Sequence, residues 1–363
     1  MNIRSVINAI EDFAPRALQE SYDNAGLQAG DAANICTGVL LSLDVTERTV
    51  EEAKEYGLNL IISHHPLLFK GVKSISPNTS TGRILINAIS NGISIYSAHT
   101  NLDNARFGVS YRMANKLGLS DIRTLQPQSG TMLKLVTFAP TSHAESIRIA
   151  MAGAGAGAIG DYDSCSYTME GTGRFRAASG AHPFVGKIGE IHKEAECRIE
   201  VILPKHLLNK VLKAMLNVHP YEEPAYDVIP LANTDPYAGS GAVGSVKPTG
   251  MKEFLNILKT TFGCQSIRYC GDLDTVVNKV ALCGGSGAFL TPDAIATGAD
   301  VYVTGDVKYH DFTTFADKIM IADIGHYESE QCSKEIFREI LAPKFPNLII
   351  RDSKNDINTI KYI

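Results

Sequence analysis

A chain of 363 residues exceeds one ordinary domain and can bury a large core, so two or three domains are expected. With 44% hydrophobic and 20% charged residues, and no apolar run near the ~20 needed to cross a bilayer, it reads as globular, neither a disordered tail nor a membrane span. Its 34 Lys and Arg against 39 Asp and Glu leave a formal charge of −5, so neither nucleic acid nor a membrane is expected as a partner.

The chain opens with Ile3, Val6, Ile7 and Ile10 at helical spacing, without the continuous apolar core of a signal peptide, and a cytoplasmic location is expected. The patterning then predicts a strand over 39–44, a helix over 46–56 capped by Thr46 and closed by Gly57, a strand over 58–63, a helix over 82–90 and a strand over 93–97. Strands separated by helices imply right-handed crossovers and a mainly parallel sheet. Residues 131–231 differ in character: a strand over 131–139, a helix over 142–152, a Gly-broken strand or hairpin over 164–177, a strand over 196–203, an amphipathic helix over 205–217 and a strand over 225–231. That βαββαβ order is the ferredoxin-like arrangement. The first pattern then returns, with strands over 276–283, 299–304 and 318–323 and a helical stretch over 291–297. Setting Val39 against Val280 brings Leu60 onto Val301 and Ser63 onto Thr304, which suggests two related halves. The expected fold class is therefore α/β: halves at 1–127 and 234–363 form the core around an inserted ferredoxin-like α+β domain at 128–233. The Gly-, Ser- and Pro-rich stretch 233–250 reads as the return linker.

Seven cysteines, at 36, 165, 197, 264, 270, 283 and 332, form no C-x-x-C pair, which argues against a disulfide framework and a thiolate zinc site. A metal would bind through nitrogen and oxygen, and three strand ends carry such side chains. The first is Ile62-Ser-His-His-Pro66, where His64 and His65 can converge only once the strand has ended. The second is His99 and Asp103 after the strand at 93–97. The third is His326 and Glu330, which share one face if a helix starts at Gly325. Ligands bind open α/β sheets at the carboxyl ends of their strands, so convergence is the economical reading. Three imidazoles and two carboxylates exceed one closed tetrahedral ion and suit two divalent ions (Zn, Fe or Mn), with His64 and Asp103 on one, His65 and His326 on the other and Glu330 between. The blander reading, each His satisfying a buried carbonyl, suits a lone histidine better than three clusters at equivalent ends.

His99 reads either as a ligand or as a donor that orients Asp103. Asp306 and His310, at a fourth strand end, read as proton carriers or as an ordinary turn. Together these three are the candidate catalytic groups. The loop of Gly284, Gly285, Ser286 and Gly287 follows a strand, and reads either as a cradle for a phosphate or as a tight turn. Gly155 to Gly160 fits the dinucleotide spacing but follows a helix, so it is set aside.

Ser21-Tyr-Asp-Asn-Ala-Gly-Leu27, Ser42-Leu-Asp-Val-Thr46, Ile61-Ile-Ser-His-His-Pro66, Ala98-His-Thr-Asn-Leu-Asp103, Gly284-Gly-Ser-Gly287, Thr304-Gly-Asp306 and His326-Tyr-Glu-Ser-Glu330 together resemble the GTP cyclohydrolase 1 type 2 homologs, the Nif-three-like family. Tyr22 stands where many members have Trp. His219-Pro-Tyr-Glu-Glu-Pro-Ala-Tyr-Asp227 resembles the bacterial members with a PII-like domain between the halves. The resemblance implies a dinuclear metal site on His64, His65, Asp103, His326 and Glu330. It also implies a toroidal homohexamer with metal sites facing its cavity and PII-like domains at its openings. The residues support a metal-dependent hydrolase of a nucleotide-like small molecule more firmly than a cyclohydrolase. The competing class is a metal-binding regulatory or metal-chaperone protein without turnover, its insert sensing a small molecule.

Overall fold

In the computed structural model, which describes residues 1–363, the N-terminal apolar spacing becomes the helix Ile3–Phe13. Ile3, Val6, Ile7 and Ile10 are buried, and the Asn2 side chain accepts from the Ser5 amide as the cap. Five strands follow: β1 (Gly26–Ala29), β2 (Val39–Ser42), β3 (Leu60–Ser63), β4 (Ser94–Ser97) and β5 (Ser120–Gln128). The helix Glu47–Glu55 joins β2 to β3, with Thr46 and Thr49 forming a reciprocal capping box. The insert supplies β6 (Met132–Pro140), β7 (Tyr167–Arg176), β8 (Ile191–Pro204) and β9 (Tyr226–Pro230). The chain then adds β10 (Asp235–Gly250), β11 (Arg268–Cys270), β12 (Val276–Leu282), β13 (Val301–Thr304), β14 (Met320–Asp323) and β15 (Ile350–Asp352). Two compact units result, Met1–Pro127 with Pro236–Ile363, and Gln128–Asp235.

The larger unit holds two sheets, ordered β1-β4-β3-β2-β15 and β11-β14-β13-β12-β10-β5. Each has three parallel central strands and an antiparallel edge, β1 on β4 and β11 on β14. The registers match: Val39 pairs with Leu60 and Val280 with Val301. Strands β2, β3, β4, β13 and β14 are buried at every position, as parallel strands covered on both faces must be. One core joins the sheets, with Leu41, Leu60 and Ile62 from the first, Val280, Val301 and Val303 from the second, and Ile3, Phe254 and Phe337 from helices. No helix is long and apolar enough to cross a membrane.

The insert is a four-stranded antiparallel sheet ordered β7-β8-β6-β9, with the helices Ala144–Gly153 and Leu208–Val218 packed on it through Ile147, Met151, Val211 and Met215. This is the ferredoxin-like order. Of the two readings of 164–177 the strand holds and the hairpin does not: β7 is one ten-residue strand, unbroken at its glycines and paired with β8 along its whole length. One local expectation fails. The supposed linker 233–250 is the 16-residue strand β10, lying between β12 and β5. Its small residues provide slimness, with Ala238, Ala242 and Val243 buried where neighbouring layers press close. A Gly- and Ser-rich stretch that must fit a crowded sheet looks in sequence like one that must flex.

Candidate metal centre

The three ligand-bearing segments meet at the carboxyl ends of the parallel strands. β3 ends at Ser63, whose hydroxyl donates to the His65 carbonyl (2.8 Å) while the His64 and His65 amides still donate to Ser42 and Leu43 carbonyls at the β2 exit. This turn brings both rings to one side, their centroids 5.3 Å apart. Asp103 closes the short helix Thr100–Asp103 that follows β4. Helix His326–Glu330 starts after Gly325 and carries both of its candidate ligands, His326 and Glu330, on one face.

Glu330 is the centre of the cluster. Its Oε2 lies 2.8 Å from His65 Nε2 and 2.9 Å from His326 Nε2, and its Oε1 lies 3.7 Å from His64 Nε2. His64 Nε2 is also 3.5 Å from Asp103 Oδ1. The ligand atoms of His64, His65 and Glu330 lie within 4.8 Å of one another, so this group can hold a metal ion.

Each imidazole is held through its other nitrogen. Nδ1–H of His64 donates to the Ala98 carbonyl (2.8 Å), that of His65 to Asp44 (2.8 Å) and that of His326 to Asp306 (2.7 Å). With the proton fixed on Nδ1, Nε2 presents a lone pair to the centre of the cluster, the tautomer a metal ligand needs. Two observations fit a cation at this point. His64 Nε2 and Asp103 Oδ1 are buried without a hydrogen-bond partner, and the Nε2 atoms of His65 and His326 stand 3.2 Å apart. Facing lone pairs repel unless a proton or a metal lies between them.

The protein alone answers with protons. Burial opposes charge on His65, yet its bonds to Asp44 and Glu330 outweigh that and raise it to about 10; His326 rises against the same burial to about 9 through Glu330 and Asp306. Burial would raise Glu330 too, but the neighbouring His64 and the hydrogen bonds from His326 and His65 hold its carboxyl well below the usual range. Asp103 moves up, through burial and the Glu330 charge.

The remaining candidates divide. His99 packs beside His64 and His65, with centroids 5.4 and 5.7 Å away, and its Nδ1 is bound to Asp23 (2.8 Å). Asp306, at φ 54° in a left-handed turn that Asp tolerates, accepts from both Ser286 and His326, so its place is to hold His326. His310 is not brought to the cluster: it is exposed, beside Tyr309, and its carbonyl accepts from Thr313 and Thr314. Of the two readings of the glycine loop, the tight turn holds and the phosphate cradle does not. The amides of Gly284, Gly285 and Gly287 donate to Ser110, Ser329 and Thr304 inside the protein. What the loop supplies is room: a Cβ on Gly285, at φ 60°, would stand 2.1 Å from Glu330 Oε1.

Asp44 and Asp23 join the site although neither was expected there from the sequence; they lie within Ser42-Leu-Asp-Val-Thr46 and Ser21-Tyr-Asp-Asn-Ala-Gly-Leu27. Asp44 sits at the exit of β2, where the strand-end rule would have found it. Asp23 lies 76 positions from His99, and nothing local marks it.

The family model described as Duf34/NIF3 (NGG1p interacting factor 3) matches residues 1–357. A protein of Halalkalibacterium halodurans named GTP cyclohydrolase 1 type 2 homolog is 40% identical over 362 residues, covering 99% of this chain and 96% of its own length. A Bacillus subtilis protein of the same name is 37% identical over 346 residues, covering 94% and 92%. The crystal structure of a Bacillus cereus protein related to NIF3 superposes with a TM-score of 0.88 at 38% identity, covering 100% of this chain and 99% of that one.

Proposed function

This chain belongs to the Duf34/NIF3 family, and on that premise we propose that it is a metal-dependent hydrolase of a small nucleotide-like substrate, with two divalent ions per chain. His64 and Asp103 would hold one ion, His65 and His326 the other, with Glu330 spanning both. The observation that carries this reading is the division of the Glu330 carboxylate, Oε1 toward His64 and Oε2 toward His65 and His326. Mixed imidazole and carboxylate ligation accepts Zn, Fe or Mn, so identity follows supply. When bound, such ions supply a Lewis acid and lower the pKa of a water toward neutrality.

The chain's own residues orient and exclude. Asp44, Asp306 and the Ala98 carbonyl keep three imidazoles in the ligating tautomer. His99, anchored by Asp23, is the group beside the cluster placed to pass a proton to a leaving group. On the family resemblance we further propose a cytoplasmic toroidal homohexamer, metal sites facing its cavity, with the insert as a PII-like domain.

The test is a panel of nucleotides and phosphoesters offered to protein reconstituted with Zn, Fe or Mn. At least one substrate should turn over, and His65→Ala and Asp103→Ala should abolish turnover while staying folded by circular dichroism. If no substrate turns over above a metal-free control, the metal-binding regulatory or chaperone reading replaces this one.

A further inference from the structure

The insert's sheet carries its helices on one face only. Cys197, Ile199, Val201 and Leu203 of β8 point into that covered face, so alternation sends Glu194, Glu196 and Arg198 to the other. The register pairs Gly173 with Glu194, Phe175 with His192 and Phe138 with Arg198, which puts both phenylalanines on the open face too. Loop 177–190 adds Phe184 and loop 219–225 adds Tyr221, with Tyr221 6.1 Å from Phe175 and 6.3 Å from Phe184 between ring centroids. These rings and Glu196 line a cavity of about 610 Å³, inside the usual range of about 300–1,000 Å³ for small-molecule pockets.

The carboxylate is placed with care. The Tyr221 hydroxyl donates to Glu196 Oε1 (2.7 Å), and Oε2 lies over Gly173, where a Cβ would stand 1.9 Å from it. His219 fixes the loop: its Nδ1 accepts from the Tyr221 amide (3.1 Å) and its Nε2–H donates to the Phe138 carbonyl (3.0 Å). Both of its nitrogens are thus used in positioning. Arg174 and Arg176 also border the cavity, but they alternate with Phe175 and leave from the opposite face, whereas Glu222 and Glu223 add negative charge.

A half-buried carboxylate ringed by aromatic faces recognises one chemistry, a positive charge on an apolar body, by ion pairing and cation–π attraction. We propose that this cavity is a binding site for a small organic cation, an alkylated or aryl ammonium compound, separate from the metal centre. Its residues all belong to the insert, so it stands or falls independently of the proposed hydrolase.

The experiment is calorimetric titration of the full chain with choline and benzyltrimethylammonium, and with 3,3-dimethyl-1-butanol, the uncharged carbon isostere of choline. Both cations should bind at least about tenfold more tightly than the neutral compound. Glu196→Gln should weaken the cations about tenfold or more and leave the neutral compound alone. Phe184→Ala, at a side chain 51% exposed and so safe for folding, should weaken the cations with metal content unchanged. Equal affinity for choline and its isostere, binding of neither cation, or full cation affinity in both variants would overturn the proposal.

Discussion

The two halves of the larger unit share a register and differ in what their strand ends carry. In the first, the exits of β3 and β4 give His64, His65 and Asp103, while Asp44 at the exit of β2 and Asp23 beside β1 hold His65 and His99. In the second, the exit of β12 is a glycine loop that leaves room, the exit of β13 gives Asp306 as a support, and only the exit of β14 gives candidate ligands, His326 and Glu330. A duplicated scaffold has thus been used unequally. The first half supplies three of the five candidate ligand residues, and the second supplies the carboxylate that lies nearest all three imidazole groups and the glycine loop that leaves room for it.

That asymmetry sets an order of expected effects. Glu330→Ala should do the most damage, lowering metal affinity by more than about 100-fold, because it alone is within reach of His64, His65 and His326. Elemental analysis after dialysis measures it, and full retention of metal would break the assignment of Glu330 as the shared ligand. Asp44→Asn and Asp306→Asn remove equivalent supports from the two halves, and each should cost about 10- to 100-fold in affinity by chelator competition. A loss confined to one of them would show that the halves do not share the work as drawn.

Acid should expose the first half next. Burial works to raise the Asp23 carboxyl, but hydrogen bonds from His99 and Thr100 outweigh it and hold it at about 2, below its unfolded value near 3.8. Its contribution to stability is therefore complete above about pH 4 and disappears as pH falls through about 2. Asp23→Asn should flatten stability against pH in that window alone, and an unchanged acid-unfolding curve would contradict the pairing. The smallest effect is expected from the insert. Removing 128–235 and joining Pro127 to Pro236, the ends of neighbouring strands, should leave metal content unaltered, since every proposed ligand lies in the other unit. Metal lost from a folded deletion protein would make the insert a contributor to the site.

Much of this was legible in order and spacing. Helical and strand periodicity, the repeat offset of Val39 and Val280, the βαββαβ order of the insert and the metal-ligand side chains at three strand ends all depend on neighbours along the chain, and local patterns report such neighbours directly. Tertiary structure alone decided what depends on distance. It turned a Gly- and Ser-rich stretch into a sheet strand because layers close on it from both sides, and it spent the loop amides of Gly284, Gly285 and Gly287 on side chains remote in sequence. It left His310 out and recruited Asp23 and Asp44. A ligand's residue type can be read where it stands; the partner that fixes its proton is chosen by whichever segment the fold packs against it, and the chain in between carries no mark of that choice.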